Sequence, residues 1–376
     1  MERSPNGNGE SSKKETTKGT RKYKRFSKML YGLRSLLVNL PARGPEPLGL
    51  TNLLNMSWVA QGVFVATKLG IPEHLRSGAK TVKELAVLTQ ADEGRLQQLM
   101  RALAGFGAFA LDEQGRYGLT LLSEPLADPE SSLRLYILIW GEQLWAAGGK
   151  MLSMVQSGED AFELASGKHV YEYYKANLEA GSLFVNYMNQ VTEDQRNLIA
   201  KTFDFGSYGH VVDIGGGRAS MLTAVLQTYP ALRGTILDQP HMAGPISERI
   251  ASANVADRCS FVGGSFLESV PPGGDLYMIK HVLHDWNDSD VAIILRNVAA
   301  AMPPNASLLV IEGLSDDRNN VGRFLKMRDL EQMIWSGGKV RTRREFERLL
   351  GDAGFHVRKT QKTSIWDGCL ILAQKS

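Results

Sequence analysis

The stretch Val211-Val212-Asp213-Ile214-Gly215-Gly216-Gly217-Arg218-Ala219-Ser220 decides how the chain is read. Val211, Val212 and Ile214 form the apolar, β-branched run of a strand buried on both faces. Three glycines follow, where the backbone turns tightly and lies bare against a neighbour. Met221, Leu222, Val225 and Leu226 then recur at helical spacing. A strand, a glycine turn and a helix in that order is the unit with which open α/β sheets hold a nucleotide-like ligand.

Downstream, strands and helices alternate. Strands are expected at Gly234–Leu237, Ser260–Val262, Leu276–His281 and Leu308–Ile311, with helices at Ala243–Ser252, Ser289–Ala301 and Arg343–Ala353. This is a doubly wound, Rossmann-like α/β sheet. It closes with His356–Thr360 and Leu370–Ala373 around Ser364–Gly368, a terminal hairpin that reverses the last strand of a seven-stranded sheet.

Upstream, residues 133–205 read as helical and rich in aromatics, among them Tyr136, Trp140, Trp145, Phe162, Tyr171, Tyr173, Tyr174, Phe184, Tyr187 and Phe203. Any single one reads as core; a run this dense beside a ligand-binding domain also suits the lining of a pocket for a flat aromatic molecule. Before it, Thr81 and Glu84 form a capping-box pair, Asp92–Phe106 reads as a helix, and Ala108–Leu111 with Arg116–Leu119 reads as a hairpin. Helices followed by a hairpin are winged-helix architecture. The helix at Asp92 mixes Asp92, Glu93 and Arg95 with glutamines, which fits a dimerisation or lid element better than a DNA reader. The expected domains are a disordered basic tail over 1–45, including a short amphipathic helix near Leu30–Leu37; a mainly helical, winged-helix-like dimerisation domain over 46–130; a helical acceptor-pocket region over 131–205; and a cofactor-binding catalytic domain over 206–376.

The 376 residues suffice for two domains and a large core. A 43% hydrophobic and 22% charged composition is ordinary for a globular protein. The net charge of +3 is small, and much of it sits in the tail, so nucleic acid is not the expected main partner. Cys259 and Cys369 each lie in a strand-like apolar run and read as buried free thiols, with no zinc spacing and no metal site. No apolar run reaches the ~18 residues of a membrane span, and no signal peptide is apparent. A cytoplasmic protein is expected.

Three places can carry chemistry. Asp213, before the glycines, is a buried acid that must meet a cation or several donors. Asp238, at the end of the second strand, stands where an acid binds the hydroxyls of a ribose; a nicotinamide dehydrogenase has the same acid, so Asp238 alone does not choose the cofactor. Lys280-His281-Val282-Leu283-His284-Asp285-Trp286-Asn287-Asp288 sits at the edge where open sheets face their ligands, the placement that a general base needs.

With these residues in view, the chain from about residue 50 to its end resembles the class I S-adenosylmethionine-dependent O-methyltransferases that act on plant phenolics, acetylserotonin and bacterial aromatic polyketides. The motifs that carry the resemblance are Val-Asp-Ile-Gly-Gly-Gly, Leu-Asp-Gln-Pro-His, Ser-Phe-Leu-Glu-Ser-Val-Pro, His-Asp-Trp-Asn-Asp and Gly337-Gly338-Lys339-Val340-Arg341-Thr342. The resemblance implies S-adenosylmethionine as cofactor, a small aromatic acceptor and a homodimer. It implies that Gly215 and Gly217 approach the methionine moiety, Asp213 holds its amino end and Thr192 its carboxylate. Asp238 would hold the ribose, Ser265 and Phe266 would frame the adenine, and Lys280 would lie along the cofactor. His284 would take the acceptor's proton, with Asp285 beside it and Glu312 orienting it; His169, Met188 and Trp335 would face the acceptor.

Three departures from the family pattern stand out. Ala219 replaces a usual glycine and is expected to narrow the turn by one methyl. Ser265 replaces an acid that accepts from the adenine amino group. Val340 replaces a second histidine-orienting Glu. They leave open a relative that uses the pocket for hydroxylation, decarboxylation or cyclisation. A winged-helix DNA-binding regulator is a weaker reading, because it leaves the C-terminal sheet unexplained.

Overall fold

A computed structural model describes residues 46–318, 322–363 and 368–375. The expected tail, its short helix at Leu30–Leu37 and most of the turn at Ser364–Gly368 lie outside the described residues. The chain divides after Leu54 into two units. Of the first, only the opening turns of the helix Glu46–Lys68 are described. The second, Asn55–Ser376, holds both sheets and the helices between them.

Strands β1 (Lys80–Thr81), β2 (Phe109–Leu111) and β3 (Arg116–Leu119) form a small antiparallel sheet in the order β1-β3-β2. The Thr81 side chain accepts from Glu84 N while Glu84 accepts from Thr81 N, which closes the capping box that starts the helix Val82–Thr89. The helix Glu93–Gly105, capped by Asp92, turns Leu96, Met100 and Leu103 onto Ile71, Leu85, Phe109 and Tyr117. Helices from Ser132 to Thr202 then pack around an aromatic core of Phe162, Tyr174, Tyr187 and Trp335.

The second sheet contains β4 (His210–Ile214), β5 (Arg233–Asp238), β6 (Cys259–Gly263), β7 (Leu276–Lys280), β8 (Ser307–Gly313), β9 (Phe355–Lys362) and β10 (Gly368–Lys375), in the order β6-β5-β4-β7-β8-β10-β9. Only β10 is reversed: it lies antiparallel between β8 and β9. Both faces are covered. Val211, Leu276, Met278, Leu309 and Ile311 point into one core, whereas Val212, Tyr277, Ile279, Leu308 and Val310 point into the other. The period of two within unbroken apolar runs follows from burial on both sides of a parallel sheet. Order reverses between β4 and β7, so the crevice outside their carboxyl ends is open to a ligand. Cys259 and Cys369 are both buried. Among the described residues no helix is long and apolar enough to cross a membrane.

One helix goes unread in the sequence, and one expectation changes. The helix Arg323–Ser336 is not legible in the sequence, because its apolar residues do not fall on one stripe. Ala219 does not narrow the turn. It adopts φ +63°, heads the helix Ser220–Thr228 and turns its methyl into the core. A left-handed backbone costs an L-residue ~1–2 kcal/mol. Against that, the buried methyl is worth about 0.8 kcal/mol, and glycine's greater freedom when unfolded costs about 0.5–1 kcal/mol. These terms nearly cancel, so Ala219→Gly changes the unfolding free energy by less than about 1 kcal/mol in a urea titration; a loss of about 1.3–1.8 kcal/mol, the size of the last two terms together, would show that the turn carries no strain.

Candidate active site

The carboxyl ends of β4, β5, β7 and β8 bring the first set of polar groups together. Asp213 is buried on β4, and its Oδ2 has no hydrogen-bond partner among the described residues. Burial pushes its carboxyl up to about 7, with nearby Lys280 opposing and Asp238 adding to the shift. Gly215 has φ +70°, and a Cβ there would lie 2.7 Å from Val282 Cγ2; at Gly217, with φ +55°, a Cβ would meet nothing within 4 Å. The backbone therefore lies open at Gly217, while Gly215 is packed closely against Val282. Gly217 N–H donates to Asp238 Oδ2 at 2.8 Å and Gln239 N–H to Oδ1 at 2.7 Å. Burial raises Asp238 above the ordinary carboxylate range, and these two donors offset only part of the rise.

Gly264 N–H donates to Asp238 O at 2.9 Å, which holds the next two residues beside β5. The Ser265 hydroxyl accepts from Leu267 N at 3.3 Å, and Phe266 sits edge-on to Trp286 with centroids 5.8 Å apart. Lys280 Nζ donates to Thr192 Oγ1 at 3.2 Å, joining β7 to the long helix Leu178–Thr202. Burial brings the Lys280 ammonium down to about 8, although Asp213 and Glu312 favour its charge. An orphan carboxylate, bare glycine backbone, a second acid and a buried amine make a cradle that fits an amino-acid and ribose ligand.

The second set lies beside it. His284 Nδ1 is 2.6 Å from Glu312 Oε2, and Glu312 Oε1 accepts from Val282 N at 3.1 Å. A carboxylate only accepts, so Nδ1 carries hydrogen and Nε2 is left as the basic nitrogen. Burial opposes charge on this imidazole; Glu312 and Asp285 overcome that, so its pKa stands above the ordinary value. Asp285 Oδ1 is 3.4 Å from His284 Nε2. Its carboxylate is fixed by Tyr171 Oη, which donates to Oδ2 at 2.6 Å, and by Gln332 Nε2, which donates to Oδ1 at 2.5 Å.

The turn that carries His284 is buttressed from behind. Arg341 is fully buried; it donates to Leu283 O and to Trp286 O, each at 2.7 Å, and pairs with Asp288 at 2.8 Å. Lys339 N–H donates to His284 O at 2.8 Å. A Cβ at Gly338 would come 2.0 Å from His284 O, so only glycine lets these backbones approach so closely.

His284 opens onto a cavity lined by Tyr171, Tyr174, Phe184, Met188, Trp335 and Val340. Phe184, Met188, Val191 and Gln195 reach it from successive turns of one helix face. Trp335 Nε1 donates to Tyr174 Oη at 2.9 Å, and Tyr174 Oη donates to Gln143 Oε1 at 2.9 Å, which locks the aromatic wall. Arg328 also lines the cavity, paired with Glu331 at 2.6 Å.

Met188 and Trp335 line this cavity, but His169 does not. Its ring instead caps the helix Val170–Ala176, accepting from Tyr171 N, and stacks on Trp286 at 6.4 Å. Val340 lines the cavity as an apolar surface, which leaves Glu312 as the carboxylate on Nδ1. Gln332, Arg328 and the structural role of Arg341 escape sequence reasoning. The first two lie on the helix that has no stripe, and Arg341 stands only inside a motif. Tyr171, Tyr174, Phe184 and Tyr187 belong to the aromatic run, whose remainder is core or surface. Among the described residues no group of three or more His, Cys, Asp or Glu is placed to hold a metal ion.

Comparison with known proteins gives concordant matches. A family model for the O-methyltransferase domain matches residues 149–356, and one for the O-methyltransferase dimerisation domain matches residues 51–128. The mitomycin biosynthesis 6-O-methyltransferase of Streptomyces lavendulae is 36% identical over 325 residues, covering 85% of this chain and 92% of that protein. The structure of a mitomycin 7-O-methyltransferase superposes with a TM-score of 0.82 at 34% identity, over 87% of this chain and 97% of that one. An O-methyltransferase of neocarzinostatin biosynthesis, solved with S-adenosylmethionine and 2-hydroxy-5-methyl naphthoic acid, superposes with a TM-score of 0.76 at 29% identity, over 84% of this chain and 96% of that one.

Arg341 gives the geometry its test. Arg341→Met leaves two buried carbonyls without donors and is expected to lower the unfolding free energy by about 3 kcal/mol in a denaturant titration. A loss below about 1 kcal/mol would show that the His284 turn stands without it.

Proposed function

Because the chain belongs to the S-adenosylmethionine-dependent O-methyltransferase family that these matches define, we propose that it methylates a hydroxyl of a small, flat aromatic metabolite, with His284 as general base. The observation that carries this reading is the 2.6 Å contact between His284 Nδ1 and Glu312 on the wall of an aromatic cavity.

Asp213, with its orphan oxygen, suits the amino group of the cofactor. Thr192 and Lys280 suit its carboxylate side, Gly215 and Gly217 its chain, Asp238 its ribose, and Ser265 with Phe266 its adenine. Bound S-adenosylmethionine supplies an activated methyl group on a sulfonium sulfur.

The remaining work belongs to the protein. A phenol with pKa near ~10 is mostly protonated at neutral pH and a poor nucleophile. His284 Nε2, the nitrogen that Glu312 does not engage, accepts its proton as attack proceeds. Glu312 and Asp285 stabilise the imidazolium that results, which brings its pKa closer to that of the phenol. The aromatic wall fixes the acceptor plane and keeps water out. Large apolar side chains lie exposed within the segment that matches the dimerisation model, Trp58 at 68% and Val87 at 74% among them, and suit a homodimer interface.

The test is the full chain with S-adenosylmethionine and a panel of hydroxylated aromatics. A product heavier by one methylene together with S-adenosylhomocysteine is expected, and a product of any other mass would overturn methyl transfer. His284→Ala is expected to lower turnover by at least ~10²-fold while cofactor binding, measured by calorimetry, is kept. Undiminished turnover would remove His284 from the base role.

A further inference from the structure

His281 belongs to neither set of polar groups. It stands directly after β7 with φ +53°, a left-handed backbone that histidine adopts more readily than most residues but that still carries strain. Its N–H donates to Ile311 O at 3.1 Å, so the strained turn is pinned to β8. The consequence is direction. The ring lines the acceptor cavity, its centroid 5.7 Å from that of His284.

The protons on the two rings follow from their partners. His281 Nδ1 lies 3.3 Å from Lys280 Nζ. An ammonium only donates, so Nδ1 holds the lone pair and Nε2 carries the hydrogen. Burial, with the positive field of Lys280 and His284, holds the His281 pKa well below its usual value, so the ring stays neutral. No described residue accepts from Nε2–H. His284 is the mirror case, with hydrogen on Nδ1 toward Glu312 and the lone pair on Nε2. Two neighbouring imidazoles therefore offer one cavity an acceptor nitrogen and an N–H donor. A simple phenol uses only the first. Arg328, the arginine that lines the cavity, is already paired with Glu331, so a neutral oxygen suits the second better than an anion.

We propose that His281 is a recognition residue that donates Nε2–H to a neutral carbonyl oxygen ortho or peri to the hydroxyl that His284 deprotonates, which makes hydroxy-carbonyl aromatics the acceptor class. The inference rests on the methyl-transfer reading of the site. In such acceptors the hydroxyl proton is held by the adjacent carbonyl. His281 takes over that carbonyl and leaves the proton to His284 Nε2.

The test compares two ligands that differ by one methoxycarbonyl group, methyl 1-hydroxy-2-naphthoate and 1-naphthol, titrated calorimetrically into the full chain loaded with S-adenosylhomocysteine. The wild-type protein is expected to bind the ester about five- to tenfold more tightly, the worth of one hydrogen bond. In His281→Leu that ratio falls to about one. In His281→Asn, which keeps an N–H donor and tolerates the backbone, most of it returns. His281→Ala gives the same reading if the leucine variant does not fold. Equal wild-type affinities, no binding of either ligand, or a ratio that survives in His281→Leu would overturn the inference. A preserved ratio with no methylated product would instead overturn the proposed methyl transfer and leave this recognition role standing.

Discussion

The contact between Glu312 and His284 is the constraint that the rest of the structure answers to. It joins the end of β8 to the turn after β7, two strands that pair directly. A carboxylate buried to 1% exposure is costly unless its oxygens are occupied. Here one oxygen takes the imidazole and the other a backbone N–H of the same turn. The acid thus fixes both the tautomer and the position of the ring. Arg341 and Gly338 hold the turn from the opposite side, one through charge-assisted hydrogen bonds and the other by having no side chain.

The charges around this contact are only partly paired within the protein. Asp213 and Lys280 moderate each other's burial, yet one oxygen of Asp213 is left without a donor. Asp285 is held by two donors and still faces His284. These are the groups whose ordinary pKa values are displaced. Each displacement has burial as its largest cause, opposed or aided by a named neighbour, which is the arrangement that tunes acids and bases in enzyme sites.

How far the sequence anticipates this depends on whether a residue's role is local. The glycine turn, the alternating strand faces, the capping box at Thr81 and the reversed β10 follow from local patterns, and the motif family places Glu312 beside His284. The helix Arg323–Ser336 escapes because its buried residues face different neighbours, so it has no single stripe. The partners of Asp285 escape for a related reason: Tyr171 and Gln332 come from distant segments that only the fold brings together. The resemblance implies that His169 faces the acceptor, whereas its ring serves its own helix. Ala219 shows the limit in another form. The substitution is legible, but its consequence lies in a dihedral angle and in where the methyl points.

The most direct measurement is the pH dependence of kcat in the wild-type chain and in Glu312→Gln. His284 acts as a base only when neutral, so the rate falls on the acid side as the ring is protonated. Glu312 and Asp285 hold that protonation above its ordinary pH against the effect of burial. Removing the charge of Glu312 lowers the pKa of the ring. The acid limb is therefore expected to move to lower pH in Glu312→Gln while the plateau rate drops, because the base is weaker and no longer oriented. An acid limb that stays in place, or moves to higher pH, would contradict the role given to this pair.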